Sequence, residues 1–98
     1  MRFDWDLPKA RENLRKHGIS FEEACTIFAD RSVLTTHDDE HSQHEDRWAT
    51  IAISMAGRIL VVIHTWPEPD HTGEELVRII SARKANRREQ AVYVERKR

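Results

Sequence analysis

The pattern of apolar and polar residues predicts a short strand and then a helix at the start of the chain. Apolar and polar side chains alternate over Arg2–Trp5, which is the period of a strand. Asp6 is a good N-cap and Pro8 is tolerated in a first helical turn, so a helix is expected from there to about His17. Gly18 provides the left-handed residue at which that helix ends.

A second helix is predicted directly after this stop. Ser20 and Glu23 form the pattern of a capping box, in which each side chain satisfies a free backbone N–H group of the first turn. The apolar residues recur at positions i, i+3, i+4 and i+7: Phe21, Ala24, Cys25 and Phe28. This spacing places them on one buried face, where Cys25 is expected to serve as packing and not as a nucleophile.

The middle of the chain has the period of β-strands. Ser32–Thr36 is β-prone, Arg47–Ser54 alternates between two faces, and Arg58–Trp66 is apolar on both faces over most of its length, as expected of a covered central strand. Met55–Gly57, between the last two of these strands, predicts a hairpin. Glu68–Glu75 is polar and is expected to form a loop.

The stretch Leu76–Glu89 predicts a strand that leads into a cationic helix. Its first half is an apolar, mostly β-branched run interrupted by Arg78, and Ser81 stands where an N-cap is expected. The apolar stripe of the helix is weak and consists of Ala85, Val92 and Tyr93. Because the helix dipole disfavours cations in the first turn, the Arg and Lys residues clustered there point to a site that holds an anion.

The predicted order of elements is β-α-α-β-β-β-β-α. Strands that follow one another through short turns favour an antiparallel meander over parallel βαβ units, so the expected fold class is α+β. A chain of 98 residues without repeats or a low-complexity linker is expected to form one domain over residues 1–98.

Charges are nearly balanced over the whole chain but unevenly distributed along it. The formal net charge is −1, yet residues 83–98 carry seven Lys/Arg against two Glu, a net charge of +5, and residues 37–46 carry five carboxylates and no Lys/Arg. Cys25 is the only cysteine, which excludes an internal disulfide. With no signal-peptide pattern and no apolar run of transmembrane length, we expect a cytoplasmic protein without membrane association.

The acidic segment also contains histidines, and this combination of side chains can bind zinc. Its candidate ligands are His37, Asp38, Asp39, His41, His44 and Glu45. Flexible acidic loops rich in His bind metals adventitiously, and no cysteine supports a dedicated site. We therefore expect neither a metal nor another cofactor.

Two specific motifs stand far apart in the chain, KHGISFEEA at Lys16–Ala24 and RIISARKA at Arg78–Ala85. Between them lie an E-x-R triplet at residues 45–47 and a G-R-I-L-V-V-x-H-T strand at residues 57–65, and FDWD precedes them all. In this order and spacing, the motifs resemble the BrnT family, the toxin components of type II toxin–antitoxin systems. The resemblance covers roughly residues 3–93.

The resemblance implies a RelE-like fold and a small toxin that cleaves RNA. It also implies a cognate, BrnA-like antitoxin that holds the toxin inactive, and a toxin–antitoxin pair that binds operator DNA only through the antitoxin. The positions that match the family are Glu45, Arg47, Arg78, Ser81, Arg83, Lys84 and Tyr93.

The chain departs from the family at two places. Many relatives carry an arginine shortly after the H-T pair, where this chain has Trp66–Pro69, and relatives tend to carry Glu-Arg where this chain has Glu89-Gln90. Arg87 and Arg88 are then the candidates to bind phosphate instead. An alternative function therefore stays open: a catalytically weakened or inactive family member that acts as a protein-binding module or corepressor with its antitoxin.

RNA cleavage without a metal requires a base for the 2′-hydroxyl proton, a cation for the charge on phosphorus and an acid for the leaving 5′-oxygen. We expect Arg78 and Arg83, then Arg47, to supply the cation, since guanidinium is planar and contacts phosphate at two points. Arg47 and Arg78 are expected to converge from neighbouring strands. His64, if its ring is exposed, or Tyr93 would transfer protons, with core packing as the alternative for both. Flanking phosphates would bind Lys84, Arg87 and Arg88. The product would be a 2′,3′-cyclic phosphate.

Overall fold

The computed structural model describes residues 1–39 and 45–97. Within them, six strands and three helices follow in the order β1 (Arg2–Asp4), α1 (Leu7–His17), α2 (Phe21–Cys25), β2 (Leu34–His37), β3 (Trp48–Ile53), β4 (Ile59–His64), β5 (Glu68–Pro69), β6 (Glu75–Lys84) and α3 (Arg87–Lys97), with a 3-10 turn, Thr26–Ala29, after α2. The predicted order is confirmed except for the added strand β5. The predictions that involve Glu40, His41, His44 and Arg98 lie outside the described residues.

All six strands form one sheet, in the order β1-β6-β4-β3-β2, and β5 pairs with β6. The strands β2, β3, β4 and β6 form the predicted antiparallel meander. β1, however, lies parallel to β6, with Phe3 opposite Val77, so the sheet is mixed. Phe3 packs against Phe28, with ring centroids 5.4 Å apart, and such long-range packing is invisible in the local pattern.

The first helix begins and ends where the sequence predicts, and the second begins where predicted but passes into the 3-10 turn before Phe28, the last residue of its predicted stripe. The side chain of Asp6 accepts the N–H of Lys9 at 3.1 Å, and Gly18 ends α1 with a φ of 70°. The hydroxyl of Ser20 accepts the N–H of Glu23 at 3.0 Å. These short polar residues satisfy N–H groups that have no partner inside a helix.

Glu23 was expected to close the capping box of α2, but its carboxylate reaches across the fold instead. It accepts hydrogen bonds from Nε of Arg58 at 3.0 Å and from the hydroxyl of Ser54 at 2.7 Å. Both partners belong to the β3–β4 hairpin, whose predicted turn is confirmed by the bond from the N–H of Gly57 to the carbonyl of Ser54, 2.9 Å. A partly buried charged contact therefore fixes α2 against the sheet.

The core lies between one face of the sheet and the N-terminal helices. Leu60 and Val62 of β4 are fully buried, and β4 is the central strand, as predicted. Phe21 and Ala24 bury the predicted apolar face of α2. Cys25 packs against the same cluster, and burial raises the pKa of its thiol to about 11, which fits a packing role.

The open edge of β6 is closed by one side chain of α1. β1 ends opposite Arg78, so Ala82 has no strand on that side. The amide of Asn13 takes the place of a strand: its Nδ2 donates to the carbonyls of Ala82 and Ile19 at 2.8 and 2.9 Å, and its Oδ1 accepts the N–H of Ala82 at 3.0 Å. Asn13 is correspondingly buried.

Strand β6 extends beyond the predicted end, so the expectation of an N-cap at Ser81 was wrong. Ser81 lies opposite Ile63 in the sheet, and β6 continues to Lys84. The residues after Ser81 are good helix formers, but pairing with β4 overrides that preference. Arg83 and Lys84 therefore stand on a strand and not at the start of a helix.

The last helix is capped by Asn86. The N–H of Glu89 donates to the side chain of Asn86 at 2.8 Å, and the N–H of Asn86 donates to the carboxylate of Glu89 at 2.9 Å. This reciprocal pair is a capping box. Tyr93 is the buried residue of the helix, whereas Val92 is exposed and Ala85 lies before the helix begins.

A β-bulge in β6 decides which way its arginines face. Ile63 lies opposite Ser81 while the next residue, His64, lies opposite Ile79, so Ile80 is an extra residue in the ladder. In a regular strand, residues five positions apart face opposite sides. The extra residue brings Arg78 and Arg83 to the same face of the sheet.

The segment 68–75 was expected to form a loop but forms a tight hairpin. Glu68 and Pro69 of β5 pair with Leu76 and Glu75 of β6. The carboxylate of Asp70 organises the turn, since it accepts the backbone N–H groups of residues 72 and 74 at 2.8 and 3.2 Å. The Pro-rich sequence concealed this strand because prolines are rare within sheets.

Candidate functional site

Two rows of side chains cross the sheet face that carries Arg83. Through the cross-strand pairs, one row consists of Arg83, Val61, Ile51 and Leu34, and the next consists of Ser81, Ile63, Ala49 and Thr36. His17, His37, Asp38 and Glu89 complete the lining of an open hollow of about 500 Å³, the Arg83 hollow. Its floor is apolar, and its polar groups come from four separate elements.

Arg83 is held in a defined orientation and still reaches solvent. Its Nη1 and Nη2 donate to the two carboxylate oxygens of Glu89 at 2.7 and 2.9 Å, and 44% of its side chain is exposed. The bond from Arg83 lowers the pKa of Glu89. Because Glu89 also caps α3, the ion pair joins β6 to that helix.

Two imidazoles line the same hollow. His17 lies in the last turn of α1 and is exposed. His37 lies at the end of β2, where its Nδ1 is 2.5 Å from Asp39 and its Nε2 is 3.2 Å from Asp46. Hydrogen bonds from the protonated ring to these two carboxylates raise the pKa of His37. Sequence reasoning gave His17 no chemical role, since only the folded chain brings α1 beside Arg83.

Arg78 lines a different hollow on the other side of the bulge. Its Nε is 3.3 Å from a carboxylate oxygen of Asp4. Nearby, the ring centroids of Trp48 and Trp66 lie 4.7 Å apart. We call this cavity of about 540 Å³ the tryptophan hollow; it is lined by these four residues and by Glu45, Asp46 and Glu68.

The tryptophan hollow is the more acidic of the two, since the Arg83 hollow has only Asp38 and Glu89 against Arg83, a net charge of −1 with neutral histidines. The tryptophan hollow brings four carboxylates together with the single guanidinium of Arg78, a net charge of −3. An RNA phosphate would be repelled there. Arg78 and Arg83 were expected to act as one cluster, but the structure places them on one face in two separate hollows.

Arg47 does not converge with Arg78 from a neighbouring strand, so that prediction was wrong. β4 lies between β3 and β6, which separates the two arginines by one strand. Arg47 is half-buried directly before β3, and its carbonyl accepts the N–H of Asp38 at 2.8 Å.

His64 does not meet the condition of an exposed ring. It is 1% exposed, its Nε2 is 2.6 Å from the hydroxyl of Thr50, and its Nδ1 is 2.7 Å from the carbonyl of Thr65. Its ring also packs edge-on against Phe28 at 4.9 Å. Burial lowers its pKa, so His64 is a hydrogen-bonded core residue.

Tyr93 is likewise enclosed. It is 2% exposed, and its hydroxyl donates to the carboxylate of Asp30. Burial and Asp30 together raise the pKa of Tyr93 to about 12. Because Tyr93 points from α3 into the core and its hydroxyl is engaged by a carboxylate, it anchors the helix and has no access to RNA.

The remaining predicted cations follow Arg83 in the sequence but do not line its hollow. Lys84 points to the opposite face of the sheet, where the hydrogen bond from Arg58 and, to a smaller extent, the charge of Lys84 lower the pKa of Glu23. Arg88 lines a different hollow beside Leu34. Arg87 and Arg88 precede Glu89 on α3, and all three cations are exposed. Residues 1–39 and 45–97 contain no group of three His, Cys, Asp or Glu that could hold a metal ion. None of the helices in these ranges combines the length and apolar character needed to cross a membrane.

The sequence matches the model of a known protein family over most of its length. Residues 5–89 match the family described as "Ribonuclease toxin, BrnT, of type II toxin-antitoxin system". The chain belongs to this family, as its motifs indicated, and a type II toxin implies an antitoxin partner. No curated protein matches the chain significantly.

A solved structure is similar over most of its length. The chain is 27% identical to the ribonuclease toxin BrnT of Brucella abortus, known from a 1.1 Å crystal structure, with a TM-score of 0.60. The match covers 89% of this chain and 99% of the Brucella chain. It confirms the predicted α+β fold class.

Proposed function

We propose that the protein is a metal-independent endoribonuclease toxin whose active site is the Arg83 hollow. The observation that carries this proposal is the position of Arg83, half-exposed and oriented by Glu89, in the same hollow as His17 and His37. A guanidinium can stabilise the charge on phosphorus, and the two imidazoles can supply the base and the acid that cleavage by a 2′-hydroxyl requires.

Each step of the reaction has a candidate in this hollow. His17 takes the proton of the 2′-hydroxyl, and the 2′-oxygen then forms a bond to phosphorus. Arg83 stabilises the added negative charge of the phosphorane. The bond from phosphorus to the 5′-oxygen breaks, and that oxygen takes a proton from the imidazolium of His37, which Asp39 and Asp46 favour. The products are a 2′,3′-cyclic phosphate and a 5′-hydroxyl.

The charge distribution supports this choice of hollow. Arg87 and Arg88 are exposed in the first turn of α3, the helix that holds Glu89, so they are the candidates to bind neighbouring phosphates of a single strand. Lys84 faces the opposite side of the sheet and could reach only a strand that passes the sheet edge. Arg78 is surrounded by carboxylates, which disfavours a role in binding RNA. His64 and Tyr93 are buried, and we assign them structural roles.

We further propose that a cognate, BrnA-like antitoxin neutralises the toxin in the cytoplasm, and that the pair contacts operator DNA only through the antitoxin. The support is membership of a type II toxin family and the near-neutral net charge of −1, which is low for a protein that binds DNA by itself.

Cleavage is tested with purified protein and a labelled single-stranded RNA, in the presence of EDTA. We expect a product that ends in a 2′,3′-cyclic phosphate. Arg83→Lys keeps the charge but loses the two-point contact, and a loss of about 100-fold in rate is expected. His17→Gln should lose at least as much, whereas Arg11→Ala, which removes an exposed cation outside the hollow, should cleave normally.

Expression in cells tests the toxin assignment. The protein without its antitoxin should arrest growth, and Arg83→Lys should relieve the arrest at equal soluble protein. The acidic hairpin at 68–75 and the occupation of Arg83 by Glu89 favour one other function, a protein-binding module without enzymatic activity. Tight binding of the antitoxin together with intact RNA in both assays would establish that alternative.

A further inference from the structure

The tryptophan hollow has the chemistry of a receptor for a cationic side chain. Trp66 is 52% exposed, and its ring lies 4.7 Å from that of Trp48. The faces of tryptophan rings attract Arg and Lys side chains more strongly than other aromatic rings do. The two indoles therefore present a surface suited to a positive charge.

The carboxylates around the two indoles also favour a positively charged occupant. Asp4 is paired with Arg78, and Asp46 is bonded to His37. Glu45 and Glu68 line the hollow and, within residues 1–39 and 45–97, make neither a hydrogen bond nor an ion pair. An anionic occupant is repelled by these uncompensated charges and a cationic one is attracted.

Two details favour an arginine-bearing polypeptide as the occupant. Arg78 already places a guanidinium in this hollow, so the cavity accommodates that group beside a carboxylate. The indole N–H of Trp48 is shielded from water and has no hydrogen-bond acceptor within the described part of the chain. A polypeptide offers carbonyl acceptors as well as a cation, which a free metal ion does not.

We propose that the tryptophan hollow binds an arginine-bearing segment of the protein partner, at a site separate from the Arg83 hollow. The incoming guanidinium would lie against Trp66 and pair with Glu45 and Glu68. This inference rests on the proposed function in one respect: the antitoxin is taken as the partner. Binding of the arginine-bearing segment does not itself require that the protein cleaves RNA.

Intrinsic fluorescence gives a direct test. Of the three tryptophans, Trp5 lies outside the hollow, so a Trp5→Phe protein reports on Trp48 and Trp66 alone. The probes are a short glycine peptide with two arginines and its counterpart with two glutamates. We expect a saturable change of emission with the arginine peptide, which weakens as salt is added, and no change with the glutamate peptide.

Paired charge variants locate the binding site. Glu45→Gln with Glu68→Gln should weaken binding of the arginine peptide about fivefold. Glu22→Gln with Glu95→Gln removes the same charge from surfaces outside the hollow and should leave the affinity unchanged. Circular dichroism would establish that both double variants are folded.

The proposal would be overturned if the two double variants bound the arginine peptide with equal affinity. It would also be overturned if tryptophan emission responded saturably to a uridine oligonucleotide and not to the arginine peptide. A third contrary result is self-association of the protein that covers the tryptophans without any peptide. The RNA cleavage assay on the same samples separates this inference from the proposed function. A protein that binds the arginine peptide but leaves RNA intact contradicts only the latter, and a protein that cleaves RNA without binding the peptide contradicts only the former.

Discussion

Replacing Asn13 is expected to destabilise the protein more than its position on a surface helix suggests. Asn13→Leu keeps the approximate size of the side chain but leaves the N–H and carbonyl of Ala82 and the carbonyl of Ile19 without partners. Both of those residues are at most 1% exposed, so water cannot replace the lost hydrogen bonds. The edge of β6 beyond β1 would then be buried and unsatisfied.

The magnitude follows from the three lost bonds. A buried polar group without a partner costs about 1–3 kcal/mol, and carbonyls stand at the lower end, so we expect a loss of about 3 kcal/mol in the free energy of unfolding. The total stability expected for a domain of this length is about 5–15 kcal/mol. Asn13→Asp should also destabilise at neutral pH, because its oxygens face two carbonyls, and should recover partly when the carboxylate is protonated.

Urea denaturation followed by circular dichroism measures this effect. The midpoint should fall while the dependence of the free energy on urea stays the same. Arg11→Ala, an exposed change on the same helix, should shift the free energy of unfolding by no more than about 0.5 kcal/mol. A loss below about 1 kcal/mol for Asn13→Leu would refute the argument that this amide closes the sheet edge.

Three further predictions concern buried groups. The pKa of Cys25 is about 11, against an ordinary value of 9.0. At the same pH, iodoacetamide should therefore react roughly 100-fold more slowly with the folded protein than with the urea-denatured protein. Equal reaction rates would contradict this prediction. Burial lowers the pKa of His64 below its ordinary 6.5, so the unfolded state takes up the proton first as pH falls. The free energy of unfolding should therefore decrease from near pH 6.5 down to the lowered pKa. His64→Gln should remove that part of the pH dependence, as measured by calorimetry. Glu23→Gln should lower the free energy of unfolding by about 1–2 kcal/mol, since Arg58 and Ser54 lose a charged acceptor. The matched variant Glu22→Gln should leave it unchanged. Equal effects of the two variants in urea titrations would argue against a stabilising contact between Glu23 and Arg58.

The chemical part of the site was predictable only as a set of residue types. Arg83, Lys84, Arg87 and Arg88 were identified because cations cluster in one stretch of sequence. The pairing of Arg83 with Glu89 was not, since it depends on β6 continuing through Lys84 and on α3 folding back beside it. His17 carried no chemical signal of its own, since α1 meets the sheet only in the folded chain.

The sequence by itself determined both ends of α1, the start of α2, the central strand and the family. Asp6, Gly18 and Ser20 act within one helical turn, and the continuous apolar run of β4 lies within one strand, so both can be read from the local sequence. Only the tertiary structure decided the parallel pairing of β1, the length of β6 and the bulge at Ile80. Those features depend on contacts between residues far apart in the chain, and such contacts override local preference. They also separate Arg78 from Arg83, so that one face of the sheet carries two hollows of different charge.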